Sequence, residues 1–300
     1  MKIVITGSLG NIGKPLTEEL VWKGHDVTVI SSSEDRRSTI ESLGAQAAIG
    51  SIHDVDFLSL TFKGADAVYL MEAVDRSKVM IPDFDMVEAY KEIAEVYRQA
   101  VVNAGVTKVV HLSSLGAHTT ESNGILAMHY YAEEIINQLP EDVAVKFLRP
   151  VGFFSNLFRS MNTIKKQGMI ISNMGGDQKE PWVAPLDIAM VVANNLEAPF
   201  ENRSFQYIAS DLVSPNEIAQ VIGEAIGNPE LKWQQISDEE QLKGMLAFGM
   251  NNQVARGYVE MQAAQREGTL YEHYREHQPE LGKVKLTDFA AEFARIYELF

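Results

Sequence analysis

The chain has 300 residues, with 26 Lys and Arg against 41 Asp and Glu for a formal charge of -15, which is enough length for one large α/β domain with a full core. Acidic residues are spread over both halves, which argues against nucleic acid and anionic membrane surfaces as direct partners. The absence of cysteine excludes disulfides, thiolate metal sites and a cysteine nucleophile.

No apolar run approaches the roughly 18 residues of a spanning helix. The apolar start is cut by Gly7 and Gly10 and has no cleavage-like tail, so a cytoplasmic protein is expected. Lys2-Ile3-Val4-Ile5 has the pattern of a buried strand, and Thr6-Gly7-Ser8-Leu9-Gly10-Asn11-Ile12-Gly13 that of a turn feeding a helix from Lys14. Glycines at 7, 10 and 13 allow a sharp turn, close backbone approach to a pyrophosphate and tight packing of helix on strand. The first N-H groups of that helix lack carbonyl partners and, with the helix dipole, suit the phosphates of a dinucleotide. Contacts to such a cofactor are expected at Gly7, Ser8, Leu9, Gly10, Asn11 and Ile12.

A strand over 26–30 and a helix over 34–43 follow. An NAD site usually places a carboxylate at the end of the second strand. This chain has Ser31-Ser32-Ser33-Glu34 there, then Arg36 and Arg37. Hydroxyls and guanidinium forks suit a 2′-phosphate, so NADP is expected at Ser31, Ser32, Arg36 and Arg37, with NAD as the alternative. The same residues also read as a helix cap with acids in its first turn and solvated arginines.

A strand over 45–49 leads to Gly50 and Ser51, a short helix over 55–62 to a strand over 67–70, and Met71-Glu72-Ala73 should then pass near the cofactor's ribose and phosphates. A long helix over 83–104 closes at Gly105. Strands over 108–112 and 144–148 enclose a helix over 125–139. Apolar strands alternating with helices imply right-handed crossovers and a doubly wound, Rossmann-type parallel sheet. Ligands of such sheets lie beyond the carboxyl ends of the strands.

The run Val106-Thr107-Lys108-Val109-Val110-His111-Leu112-Ser113-Ser114 resembles the end of strand five in the short-chain dehydrogenase/reductase superfamily. That resemblance implies a substrate-polarising hydroxyl at Ser113 or Ser114, and places Ser51 where members commonly carry Asp for the adenine amino group. The superfamily's base is a Tyr with Lys four residues on, and no Tyr in this chain has that neighbour. The matching helix carries His129-Tyr130-Tyr131-Ala132-Glu133, and a carboxylate beside a phenol would raise its pKa rather than lower it. Together with Leu148-Arg149-Pro150-Val151-Gly152-Phe153-Phe154-Ser155-Asn156, this is similar to the NmrA-like, NAD(P)-binding group of atypical members, with landmarks from Met1 to about Ala193. The resemblance implies one of two activities. The first is an NAD(P)H-dependent reductase of a quinone, enone or carbonyl compound, with His129 a proton-transfer candidate and Phe153 and Phe154 lining a substrate pocket or packing as core. The second is a cofactor-binding redox sensor that regulates a protein partner.

The chain divides into a cofactor-binding core at 1–156 and a mainly helical substrate lobe at 157–300 interleaved with it. Trp182 to Ala189 returns into a helix with Asp187 as its expected N-cap. A strand over 205–209 precedes Ser214-Pro215-Asn216-Glu217, a capping box with proline at the first helical position, whose helix stops at Gly227. A strand over 232–236 and helices over 238–248, 254–266 and 287–299 complete the lobe. His273-Tyr274-Arg275-Glu276-His277 matches a zinc-binding spacing, but Gln278-Pro279 ends that helix and no third ligand is evident, so no metal is expected. The expected partner is a small-molecule substrate, with a homodimer or a regulatory protein partner left open.

Overall fold

The computed structural model describes residues 1–300, the side chain of Arg76 excepted. In chain order the first half runs β1 (Lys2–Ile5), α1 (Gly13–Trp22), β2 (Asp26–Ser31), α2 (Arg37–Ser42), β3 (Gln46–Ile49), α3 (Val55–Phe62), β4 (Ala67–Leu70), α4 (Met86–Ala104), β5 (Lys108–Leu112), α5 (Ala127–Ile136) and β6 (Ala144–Pro150). The second half adds β7 (Gly152–Phe153), α6 (Met161–Gln167), β8 (Met169–Ser172), β9 (Glu180–Val183), α7 (Pro185–Glu197), β10 (Arg203–Ile208), β11 (Asp211–Val213), α8 (Pro215–Ala225), β12 (Lys232–Gln235), α9 (Asp238–Ala247), α10 (Asn252–Glu267), α11 (Glu272–Glu276) and α12 (Leu286–Leu299).

Seven strands pair in the order β10-β6-β5-β4-β1-β2-β3, all parallel. The chain builds outward from β1 to β3, then restarts on the other side with β4, so the strand order reverses between β1 and β4. The crevice above that reversal is where such sheets bind ligands. Alternate residues of the strands face opposite layers: Val4, Val68, Val109 and Val145 pack against Ile93, Tyr97 and Ala132 of α4 and α5, while Ile3, Ile5 and Val110 pack with Leu16, Leu20, Ile188 and Val192 of α1 and α7. Each such aliphatic side chain, fully buried, contributes about 1.5–3 kcal/mol. The long α4 is bounded as its sequence dictates. The Asp85 carboxylate accepts from the N-H groups of Val87 and Glu88, and Gly105 takes the left-handed closing conformation at φ 67°.

A second core, around Phe154, Trp182, Phe289 and Phe293, joins the three-stranded sheet β11-β9-β7 and the parallel pair β12-β8 to α6, α8 and α12, while Ala264 of α10 and Tyr274 of α11 pack into the core of the seven-stranded sheet. The capping box at Ser214 and Glu217 starts α8 with Pro215 at its first position. Three sequence expectations need correction. Asp187 is not an N-cap: Ala184 caps α7, Pro185 opens it, and buried Asp187 instead accepts from the Ser210 hydroxyl and the Lys283 and Val284 N-H groups. The helix expected over 34–43 is a 3-10 turn, Glu34–Arg36, followed by α2. The helix expected over 125–139 is likewise a 3-10 turn, Gly124–Leu126, before α5, which ends at Ile136.

Candidate functional site

The loop between β1 and α1 is pinned at both sides. Thr6 N-H donates to the Tyr69 carbonyl (3.1 Å), the Thr6 hydroxyl accepts from Met71 N-H (2.8 Å), and Ser8 N-H donates to the Ile30 carbonyl (3.1 Å). Gly7 (φ 88°) and Ser8 (φ 55°) take left-handed conformations. A Cβ on Gly13 would lie 1.9 Å from the Ser8 carbonyl oxygen, so only glycine lets the helix start this close to the strand. Gly10 and Asn11 are exposed, Leu9 is half-buried and packs on the core, and Ile12 is buried under the turn. Among the described residues the N-H groups of Gly10, Asn11 and Ile12 have no backbone acceptor, and no acid lies in the first turn of α1. Unpaired donors at the positive end of a helix fit a pyrophosphate.

The residues after β2 divide in role. Ser31 is buried, its Oγ accepting from the Ser8 hydroxyl at 3.0 Å, and Ser32 is exposed beside it. Arg37 is already committed: its fork holds Glu34 at 2.5 and 3.1 Å, and Glu34's carboxyl is lowered by that contact. Arg36 is exposed and has no ion-pair partner among the described residues. Ser51 is exposed, and its Oγ accepts from His53 N-H at 3.1 Å in a local turn. Met71 lies against the glycine loop, its Cε 2.4 Å from where a Gly7 Cβ would stand.

Beyond β5 and β6 the serine pair separates. Buried Ser113 donates its hydroxyl to Glu133 Oε1 at 2.5 Å. Glu133 also receives the fork of Arg149, Nε to Oε1 at 2.9 Å and Nη2 to Oε2 at 2.5 Å, with both side chains less than a tenth exposed. Burial pulls the guanidinium's pKa down, but the Glu133 hydrogen bond and charge hold it above its ordinary value. Arg149 lies 4.6 Å over the ring of Phe205. Ser114 is half-buried and its hydroxyl makes no hydrogen bond among the described residues, so of the two it is the one free to meet a substrate oxygen.

A second buried pair was not found from the sequence. His111, on β5, and Glu72, just after β4, meet Nε2 to Oε1 at 2.8 Å with side-chain exposures of 0% and 1%. Burial pulls the His111 pKa down, yet the charge and hydrogen bond of Glu72, with Glu133 beyond, carry it above the ordinary value. The two are 39 residues apart, so nothing in local spacing signals them. His129 is half-buried on α5, its ring edge-on to Tyr90 at 5.1 Å. Burial lowers its pKa to about 4, against the charge of Glu72, so the imidazole is neutral.

Phe154 does not line a pocket. It is fully buried in the lobe core, stacked between Trp182 (5.8 Å) and Phe289 (5.2 Å). Phe153 is half-buried and packs at the edge of the main core. The two histidines of the zinc-like spacing stack at 4.3 Å, with His118 stacked on His273 at 4.4 Å. Their Nδ1 atoms are engaged by the Tyr207 hydroxyl and the His273 carbonyl. Glu180 is buried with no ion-pair partner among the described residues, accepts from the Tyr271 hydroxyl at 3.2 Å, and is pushed up to about 7 by burial. Among the described residues no helix is long and apolar enough to cross a membrane.

Comparison with known proteins places these features in a family. The profile of the NmrA-like family matches residues 1–293. An uncharacterized protein of Schizosaccharomyces pombe is 26% identical over 259 residues, covering 80% of this chain and 84% of that one. Among solved structures, the NADPH-dependent quinone oxidoreductase QOR2 of Escherichia coli, complexed with NADPH, superposes with a TM-score of 0.78 at 17% identity, covering 97% of this chain and 99% of that one. Triphenylmethane reductase of Citrobacter sp. does so with a TM-score of 0.75 at 17% identity, covering 98% and 100%. At these identities the structural likeness establishes the shared fold.

Proposed function

Because the chain belongs to the NmrA-like family over residues 1–293, we propose that it is an NADP-dependent reductase of a small electrophile of the quinone, enone or carbonyl class, acting by direct hydride transfer without a Tyr-Lys pair. The observation that carries this reading is the open amino end of α1, where glycines at 7, 10 and 13 leave backbone donors facing the crevice between β1 and β4. The names of its structural neighbours, an NADPH-dependent quinone oxidoreductase and a triphenylmethane reductase, support the same class.

In this reading Gly7 to Ile12 hold the pyrophosphate, and Arg36, with Ser31 and Ser32 beside it, binds the 2′-phosphate. When bound, the nicotinamide supplies the hydride. Ser114 polarises the substrate oxygen. Ser113 and Arg149 fix Glu133 behind it, so that carboxylate is a support rather than a base. His129 stands where the superfamily has its tyrosine and exchanges a proton with the substrate oxygen. A quinone asks little of it, because aromatisation stabilises the oxyanions formed. Phe153 and the lobe at 157–300 wall the substrate from water. The test is consumption of NADPH by purified protein across a panel of quinones, enones and aldehydes. Turnover on at least one class is expected, and none on any would refute the reading.

A second reading has its own support: Glu133 is locked by the Arg149 fork and the Ser113 hydroxyl, and His129 is neutral. Such a site could bind the cofactor and report its redox state to a protein partner. Tight NADP(H) binding with no turnover would favour it.

A further inference from the structure

We infer that Glu180, on β9, anchors a positively charged group of the substrate, so that the electrophile reduced at this site carries an amine. The inference rests on the reductase reading for its reaction, and on the place of the carboxyl for its anchor.

β9 runs beside β7, with Trp182 opposite Gly152, the second residue beyond the end of β6. The Pro150 carbonyl accepts from Leu115 N-H at 2.9 Å, which ties this stretch to the loop carrying Ser113 and Ser114. The hydrogen bonds that end on Glu180 start at the same place. Gln265 Nε2 lies 3.9 Å from where a Gly152 Cβ would stand and donates to the Tyr271 hydroxyl at 3.2 Å, and that hydroxyl donates to Glu180 Oε2, also at 3.2 Å. Glu180 is thus held near the carboxyl end of β6, where doubly wound sheets receive ligands.

Its two oxygens differ. Oε2 receives the Tyr271 proton, whereas Oε1 has no hydrogen bond among the described residues and is not enclosed, although the residue is only 2% exposed. A carboxylate buried this deeply ordinarily has a counter-ion, and the described residues supply none. No charged group acts on Glu180, and of the titratable groups packed against it only Tyr271 does. Arg266, next to Gln265, is held by Asp238, and the Arg275 guanidinium stands against Gly268. Nor does Trp182 fill the place: its Nε1 is also without a partner, but it is enclosed in the second core, across the ring from the edge that faces Gly152. An open carboxyl oxygen beside a phenol ring suits an ammonium group, which brings both the missing charge and a hydrogen-bond donor. Burial without a counter-ion keeps the empty site protonated up to about pH 7, so the acid releases its proton to solvent as the cation enters. Glu180 is a specificity-determining residue, and it leaves the hydride step unchanged.

The test is calorimetric titration of the full chain with benzylammonium and with benzyl alcohol, a neutral analogue of the same shape. Benzylammonium should bind at least about tenfold more tightly. Its affinity should rise about tenfold per pH unit from about 5 to 7 and level off above, and at about pH 6 its binding should release about one proton, read from the heats in two buffers. In Glu180→Gln the preference, the pH dependence and the proton release should all vanish. Equal affinity for the two probes, a flat pH profile, or a preference that survives in Glu180→Gln overturns the inference, and the wild-type profile decides the matter even if the variant does not fold. In turnover, Glu180→Gln should lower kcat/KM for an aminomethyl-bearing acceptor about tenfold relative to its hydroxymethyl analogue, through KM; an unchanged ratio counts against the inference. Wild-type protein that binds benzylammonium in this way yet oxidises no NADPH would sink the reductase reading and leave the anchor standing.

Discussion

Gly10 and Gly13 stand three residues apart in one loop, yet an added methyl group meets different surroundings at each. At Gly13 the new Cβ would lie 1.9 Å from the Ser8 carbonyl oxygen and 3.1 Å from its carbon, and since both are backbone the turn itself must move. Overpacking of this kind costs about 1–3 kcal/mol, with each kcal/mol lowering Tm by about 2–4 °C in a chain of this general size. Gly13→Ala should therefore lose several degrees and bind NADPH weakly. At Gly10 the nearest atom is the Gly7 carbonyl oxygen at 3.6 Å, an ordinary contact, and its φ is not in the left-handed range. Gly10→Ala should stay within about 0.5 kcal/mol of wild-type stability. Its methyl group would nevertheless stand at the open amino end of α1, in the path of the pyrophosphate. NADPH affinity should fall tenfold or more, about 1.4 kcal/mol. Calorimetric unfolding and isothermal titration of both variants measure the pair. Wild-type affinity in Gly10→Ala, or wild-type Tm in Gly13→Ala, would refute the reasoning.

Arg36→Ala should weaken NADPH about tenfold while sparing NADH, whereas Arg37→Ala, whose guanidinium is held by Glu34, should change neither by more than about twofold; competitive titration of the two cofactors separates them. Glu133→Gln leaves the Arg149 charge buried without its counter-ion and should cost about 3–5 kcal/mol in urea unfolding. Replacing both residues by apolar ones of similar volume should recover most of that loss, and a double variant as unstable as the single one would contradict the pairing. Burial holds the Glu180 carboxyl at about 7, above its unfolded value, so the folded state keeps a proton that the unfolded chain releases. Wild-type stability should therefore fall relative to Glu180→Gln as pH rises from about 4.5 to 7, by roughly 3 kcal/mol in all, and parallel stability curves for the two proteins would show the assignment to be wrong.

The parallel sheet was legible because strands covered on both faces are short apolar runs, and β1 to β6 fall where those runs are. The glycine loop was legible for the same local reason: its three glycines stand between an apolar run and a helical pattern. The small sheets were not. β7, β8, β9 and β11 have two to four residues each, Pro181 interrupts the look of a strand, and their pairing depends on how the lobe folds back. Asp187 misled because an acid near a helix start usually caps it, whereas Pro185 had already opened the helix and the carboxylate turned inward to Ser210 and the 283–284 backbone. In the site, the chemistry of Ser113 and Glu133 was visible as residue types, but the partner that ties them up, Arg149, is brought from another strand. Glu72 and His111 gave no local signal, since only the pairing of β4 with β5 joins them.

Hydride transfer itself is the most direct test. NADPH is premixed with the protein and a quinone is added in stopped flow under single-turnover conditions, with NADPH deuterated at the transferred position in a parallel run. The account predicts decay of the reduced nicotinamide absorbance within the turnover, slowed by deuterium. Saturable NADPH binding with no decay, whatever the acceptor, would contradict it and leave a cofactor-binding protein that does not catalyse.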